Sequence, residues 1–399
     1  MLSLEEALAA VCSGIRTGTA AEEVGLWQAR GRYLAASIVA RTGNPSFTNS
    51  SMDGYALESA HGPAGASLRV TGESRCGGLA APLVPGSAMR IFTGAPLPQG
   101  ADAVIMQEDV TVEGAMVRLA SSVVPGQNVR EAGEDFAAGT PLYASGHRLR
   151  SWDLAVVAAA GLARVAVRKA PRALVFATGD ELIAPGSPPA PGRTYECNRL
   201  ATLAMLEELG AEVIDGGIVG DDLGTLRQVV SNAADYDFII TSGGVSVGSY
   251  DFVKHAFAEA GEVHFWRARV KPGKPLAFGH LSGRAHFFAL PGNPVSSLVT
   301  FKLFVEPALA IWHGGTPARA ELTAVAGHHY ERSAGRTEFL RARLRQINGQ
   351  LMAWTFPGQG SHMVGPLGKT NGLIRIEESE TGFSEGDRLT VIPLGLNFL

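Results

Sequence analysis

The chain has 399 residues, 46% of them hydrophobic and 18% charged, and a formal net charge of −4. This is the composition of a core-forming protein of several domains, and it excludes a disordered or collagen-like chain. A weakly acidic chain with no basic run longer than two residues has no electrostatic footprint for nucleic acid, so any anion site has to be built locally.

Cys12, Cys76 and Cys197 are odd in number and far apart. They lack zinc-ligand spacing and are expected as reduced, mostly buried thiols. Glu5 and Glu6 stand where a secretory signal would be basic. The longest apolar run, Leu154 to Ala163, is too short to cross a bilayer. A cytoplasmic protein without a membrane partner is expected.

The chain opens with "SLEEALAAVCSGI", where Ser3 and Glu6 have capping-box spacing and predict a helix. From Arg41 to about Phe136, short Val/Ile/Leu runs alternate with Gly and Pro turns, as a β-rich domain does. "SWDLAVVAAAGLARVAV" then predicts a helix that rejoins the first one, leaving the β-rich piece as an insertion in a helical unit. From about 169 to 312 strands and helices alternate: "RALVFATG", "NRLATLAMLEELGAEV", "TLRQVVSNAAD", "DFIITSG", "FVKHAFAEAG", "HFFALPG" and "VSSLVTFKLFVEPALAIW". That alternation predicts a doubly wound, mostly parallel sheet with helices on both faces. After "HGGTP" the short strands of a small C-terminal β domain follow. The expected fold class is α/β multidomain, with boundaries at 1–40 plus 137–168, 41–136, 169–312 and 313–399.

Ligands of open α/β sheets bind outside the carboxyl ends of the strands, and this chain decorates those ends. Thr178, Gly179, Asp180 and Glu181 follow one strand. Ser242, Gly243, Gly244, Ser246 and Gly248 follow a second. Pro291, Gly292, Asn293 and Ser296 follow a third. A glycine-rich strand-to-helix loop frees backbone N–H groups to face an anion. One such loop is equally a turn, whereas three in one sheet favour binding. Asp251, at the start of the next helix, either caps it or holds Mg²⁺, which takes oxygen ligands and bridges to phosphates. Lys271 and Lys274 flank a Pro-Gly turn. They are either solvated or oxyanion ligands. Asp53-Gly54 is a common turn pair. Gly244-Val-Ser246-Val-Gly248 also matches the G-x-S-x-G pattern of a serine nucleophile. The intervening Thr241-Ser242-Gly243 fits that elbow poorly, and the candidate histidines His264, His280 and His286 stand in no obvious partner context.

Eight ordered blocks carry a closer resemblance: "FTNSSMDGYAL", "RIFTGAPLPQGADAVI", "AGEDF", "ATGDEL", "TSGGVSVGSYDFVK", "VKPGKPLAFG", "LPGNPVSS" and "GQGSHMVGPLGKTNGLI". From Phe47 to Ile374 the chain resembles the molybdopterin molybdenumtransferase (MoeA) family, which includes the E domain of gephyrin. The resemblance implies a homodimer of four-domain subunits. It also implies a reaction in which adenylylated molybdopterin and molybdate give molybdenum cofactor and AMP with Mg²⁺. By motif, Asp53, Thr93 and Asp135 are carried over as catalytic residues from domain II. Glu181 and Asp251 follow from domain III, where they share the metal with Asp221 or Asp222. Domain II of one subunit would face domain III of the other. Lys271, Lys274, Ser296, Arg336 and Ser361 resemble the anion and molybdate ligands. Where the family usually reads Pro-Pro-Phe-Asp, this chain has Pro45-Ser46-Phe47-Thr48, one carboxylate fewer. Three other activities use parts of the same pattern: a molybdopterin adenylyltransferase sharing the Gly-rich loop, a gephyrin-like scaffold, and the hydrolase above. Contacts with the adenylyltransferase and with acceptor enzymes are expected.

Overall fold

The computed structural model describes residues 1–244, 252–281, 285–317 and 320–395. By contact the chain forms two compact units. One comprises Met1–Glu22, Gly31–Ala35 and Val167–Leu399, the other Glu23–Arg30 and Ala36–Ala166.

Helix α1 (Leu4–Gly14) begins at the expected capping box. The Ser3 hydroxyl accepts from the Glu6 backbone N–H at 3.1 Å, and the Ser3 N–H donates to the Glu6 carboxylate at 2.7 Å. Two orphan donors of the first turn are thereby satisfied. Leu4, Ala7 and Val11 lie at helical spacing, fully buried in the core of the first unit.

The second unit holds a six-stranded sheet of β1 (Gly54–Leu57), β2 (Ser67–Ser74), β3 (Ser87–Ile91), β4 (Ala103–Met106), β5 (Val110–Glu113) and β6 (Met116–Leu119), in the order β4-β1-β3-β2-β6-β5. Central β1 is antiparallel to both neighbours and buried along its length. At Gly54 a Cβ would lie 1.9 Å from the Ile105 carbonyl oxygen, so the strands approach too closely for a side chain.

The helix expected from Ser151 onward is shorter than its apolar run. It is α2 (Ser151–Ala159), it stops before Gly161 at φ +82, and Arg164–Arg168 is a strand that buries Val165 and Val167 in alternation. Period 2 and the left-handed glycine outweigh the run of alanines. Asp153, on the first turn of α2, is 3% exposed at its side chain. Its carboxylate accepts from Arg150 Nε (3.1 Å), Nη2 (3.0 Å) and backbone N (2.8 Å), and from the Tyr143 hydroxyl at 3.2 Å, and it meets His147 Nε2 at 2.9 Å. The Arg150 guanidinium is the first cause holding this carboxyl well below its usual range. Asp153→Asn is expected to cost about 1.5–3 kcal/mol, the worth of hydrogen bonds to a charged group. Because the folded carboxyl is the stronger acid, its contribution is present above the unfolded value of about 3.9 and is lost as pH falls below it. Denaturant titrations of both proteins should therefore differ at neutral pH and converge in acid.

The first unit carries β7 (Arg172–Thr178), α3 (Asn198–Glu208), β8 (Glu212–Val219), α4 (Leu223–Ser231), β9 (Phe238–Ser242), α5 (Phe252–Ala260), β10 (Gly261–Arg267), β11 (Val270–Lys271), β12 (Pro275–Leu281) and β13 (Ala285–Leu290). Its main sheet runs β8-β7-β9-β13-β12-β10. The first four strands are parallel, and β12 and β10 add antiparallel pairs. Period 2 divides the strands between two cores. Val175, Ile240 and Phe288 join Leu206 of α3 on one face, whereas Phe176, Ile239 and Phe287 join Leu226 of α4 and Phe257 of α5 on the other. Burial on both faces is why these strands read as unbroken apolar runs. Each fully buried phenylalanine stabilises the fold by about 1.5–3 kcal/mol.

After β13 come α6 (Pro294–Thr300), one π turn (Phe301–Val305) and α7 (Glu306–Trp312). Together Pro294–Trp312 are long and apolar enough to cross a membrane, yet 67% buried inside the fold. They form a core helix, whose two charges, Lys302 and Glu306, pair at 2.8 Å. Last come β14 (Leu322–Ala326), β15 (Thr337–Ile347), β16 (Gln350–Thr355), β17 (Gly372–Ile376) and β18 (Arg388–Pro393). Their order is β11-β15-β16-β14-β18-β17, and β15 also pairs with β17. The five strands β14 to β18 close on themselves around Leu340, Ala353, Ile374 and Val391, which removes their free edges.

The cysteines are free thiols, but the expectation that they are mostly buried fails. Cys76 and Cys197 are exposed and Cys12 is half-buried. Cys76 follows β2 in a turn and Cys197 directly precedes α3, positions that no core side chain covers.

Candidate active site

Parallel strands β7, β9 and β13 end together, with Ala177 opposite Ser242 and Ser242 opposite Leu290. Beyond those ends lies a cleft of about 530 Å³. Of the residues predicted for the site, Thr178, Gly179, Glu181, Asp221, Ser242, Gly243, Gly244, Pro291, Asn293 and Ser296 line it. Asp222 does not. Its carboxylate caps α4, accepting from the Thr225 N–H at 2.8 Å, and hydrogen bonds from Thr225 hold it below the usual range. Asp221 faces the cleft instead. Ser246, Gly248 and Asp251 lie outside the described residues.

The glycines are demanded by geometry. Gly243 (φ +99) would place a Cβ 2.3 Å from the Thr178 carbonyl oxygen, and Gly244 (φ +67) would place one 2.2 Å from Val253 Cγ2. The Glu181 carboxylate folds back over Gly179, where a Cβ would meet it at 2.6 Å. The bare loops therefore bring backbone and carboxylate into close approach. Thr178 Oγ1 is buried beside Gly243 and Gly244, without a hydrogen-bond partner among the described residues.

Sequence reasoning missed Asn198. Its amide donates to Ser242 Oγ and to the Gly292 carbonyl, both at 2.8 Å, tying the ends of β9 and β13 together. The Ser242 hydroxyl accepts that bond and keeps its own proton to donate. Cys197, Tyr195 and His362 also line the cleft. The signal for Asn198 was a polar residue opening an apolar helix, which reads as a cap until its partners are known.

Neither Lys271 nor Lys274 lines the cleft among the described residues, although Pro275 does. Lys271 sits in register beside Glu338 and pairs with that buried carboxylate at 2.7 Å. Lys274 is exposed. Arg336 is held through its carbonyl, which accepts from Arg332 at 2.7 Å. Ser361 gives its carbonyl to the Val295 N–H at 3.0 Å, beside Ser296. The three hydrolase histidines stand away from this end of the sheet. His286 is opposite Phe238, where β9 and β13 begin, and His280 pairs with His286. His264 contacts His280 at 2.9 Å.

In the second unit, Asp53 Oδ1 accepts from the Thr93 N–H at 2.7 Å and the Thr93 hydroxyl at 2.9 Å. These bonds, the backbone one first, hold its carboxyl below the usual range. Asp135 accepts from Asn44 Nδ2 at 2.9 Å. Thr48, standing where the resemblance calls for an acid, donates to the Glu131 carboxylate at 3.0 Å, so the region keeps a carboxylate from elsewhere in the chain.

Three family descriptions match in order: "MoeA N-terminal region (domain I and II)" over residues 2–161, "Probable molybdopterin binding domain" over 174–311, and "MoeA C-terminal region (domain IV)" over 323–394. The molybdopterin molybdenumtransferase of Haemophilus influenzae is 37% identical over 400 residues, covering 98% of both chains. The chain belongs to the MoeA family. Another MoeA relative, molybdopterin molybdenumtransferase 2 of Mycobacterium tuberculosis, is 36% identical over 93% of this chain and 94% of its own. The crystal structure of the molybdopterin biosynthesis MoeA protein from Pyrococcus horikoshii OT3 superposes with a TM-score of 0.86 at 28% identity, covering 98% of this chain and 100% of that one. The MoeA match includes the α/β unit that bears the cleft and both flanking regions.

Proposed function

We propose that this chain is a molybdopterin molybdenumtransferase of molybdenum cofactor biosynthesis, converting adenylylated molybdopterin and molybdate into molybdenum cofactor and AMP. Its place in the MoeA family supports the activity. The observation that carries the substrate reading is the cleft itself, whose lining includes bare glycine backbone, Thr178, Ser242 and Ser296, and the acids Glu181 and Asp221. Thr178, Ser242 and Ser296 donate to the phosphate oxygens, and the glycines let the phosphates approach the backbone. Two carboxylates beside a pyrophosphate are repulsive without a cation between them.

Glu181 and Asp221 fit Mg²⁺, a hard ion held by one or two carboxylates together with substrate phosphates. Asp251 is the further carboxylate implied by the family resemblance. Bound there, the ion would offset phosphate charge and polarise the phosphoanhydride. No protein nucleophile is required. Lys271 delivers its charge to Glu338, so Lys274 is the better molybdate ligand. The roles of Ser246, Gly248, Pro291, Asn293, Arg336 and Ser361 as substrate contacts rest on the resemblance.

The same resemblance supports four domains at the boundaries given above and a cytoplasmic homodimer. Domain II of the second copy brings Asp53, Thr93 and Asp135 to the domain III cleft. It also supports contact with the adenylyltransferase that makes the substrate and with the enzymes that accept the product. The test is AMP release from adenylylated molybdopterin: it should require both molybdate and Mg²⁺, and equal release in EDTA without molybdate would sink the reading.

A further inference from the structure

We propose that Glu262, His264 and His280 form a binding site for a divalent transition metal of the zinc type, at the antiparallel edge of the main sheet and separate from the strand-end cleft. Glu262 and His280 are directly opposite in the register of β10 and β12. His264 follows Glu262 by two residues, beside a register shift between Val263 and Phe265. One ligand atom from each of the three lies within 4.8 Å of the others. Two imidazoles and a carboxylate are the donor set of many zinc sites, which leave a fourth position to water.

A second feature points the same way. His280 Nε2 lies 2.9 Å from the Gly14 carbonyl oxygen. A carbonyl only accepts, so Nε2 carries the proton and Nδ1 presents a lone pair. A backbone carbonyl fixing the far nitrogen of a histidine is the usual support of a metal-ligating imidazole. His280 Nδ1 faces His264 Nε2 at 2.9 Å, and the His264 ring stacks on Phe278 with centroids 5.3 Å apart. Without metal the two rings share one proton. The ion takes that proton's place, and the proton moves to His264 Nδ1, which lies 3.8 Å from Glu262. No other charge change is needed. Nitrogen donors select zinc-type ions over Mg²⁺, so this site and the carboxylates of the cleft do not compete for one ion.

The experiment titrates Zn²⁺ into the chelator-stripped full chain by calorimetry, with excess Mg²⁺ to saturate oxygen-only sites. The visible spectrum of Co²⁺ is recorded in parallel. The wild type should bind about one equivalent of Zn²⁺ and develop Co²⁺ d–d bands of a nitrogen-containing site. His264→Gln should weaken binding roughly tenfold or more and abolish those bands. His264 and Glu262 are open to solvent, so both His264→Gln and Glu262→Gln should fold as the wild type does, and Glu262→Gln should also weaken binding. No Zn²⁺ uptake by the wild type, or unchanged affinity in both variants, would leave the cluster a hydrogen-bonded histidine pair and overturn the proposal.

Discussion

Glu181→Gln should lower the maximal rate of molybdate-dependent AMP release by about 10²- to 10³-fold while leaving the fold intact. The side chain lines the cleft and folds over Gly179. The backbone carbonyl of Glu181, which accepts from the Thr194 N–H at 2.8 Å, is untouched by the substitution. Glutamine keeps the shape and removes the charge. On the proposed reading Glu181 holds the cation that offsets charge in the transition state, and losing one such electrostatic contact costs about 2.7–4 kcal/mol of barrier, which is the stated range of rates. If Glu181 holds the metal as proposed, kcat should fall more than substrate affinity. Asp221→Asn should behave alike, and Asp222→Asn should affect α4 rather than the rate, because Asp222 spends its carboxylate as a helix cap. A folded Glu181→Gln protein with activity within about threefold of wild type would remove Glu181 from the catalytic set.

Mixing two inactive proteins should restore activity. Asp53→Ala and Glu181→Gln are each expected to abolish most turnover alone. If every site joins Asp53 of one copy to Glu181 of the other, a mixed dimer holds one doubly altered site and one site with neither change. Random exchange of equal amounts then makes about one quarter of all sites wild type, as follows from two-fold symmetry. Asp53 suits the test because its carboxylate is held by Thr93 at the surface of the second unit, away from that unit's core. Recovery near that fraction, after subunit exchange verified by mass spectrometry, supports a shared site. Absence of recovery with exchange complete would place both residues in separate functions or in one chain.

How legible each feature was depends on how local its cause is. The capping box of α1 needs two residues three apart, and it stands where Ser3 and Glu6 put it. The strands β7, β9 and β13 were readable because burial on both faces forces continuous apolar runs. The glycines after β9 were readable because Gly243 and Gly244 take left-handed turns with no room for a Cβ, against the Thr178 carbonyl and the Val253 side chain. What escaped was set by partners distant in sequence. Lys271 looked like a free ammonium until β11 placed it beside Glu338. Asp221 and Asp222 are adjacent and alike, and only the start of α4 tells the cap from the cleft residue. Asn198 gains its role from Ser242 and Gly292, neither near it in the chain. The apolar run after Ser151 hid a turn at Gly161. The core helix was readable over 295–312 despite the charges Lys302 and Glu306, whose mutual pairing lets them sit within it.

The most direct measurement follows both products in one reaction: molybdenum bound to the pterin, by elemental analysis of the isolated cofactor, and AMP, by chromatography. With adenylylated molybdopterin, Mg²⁺ and molybdate, equal amounts of the two are expected, and no pyrophosphate when ATP and free molybdopterin are supplied instead. AMP formed without molybdenum in the pterin, or pyrophosphate formed from ATP, would contradict it.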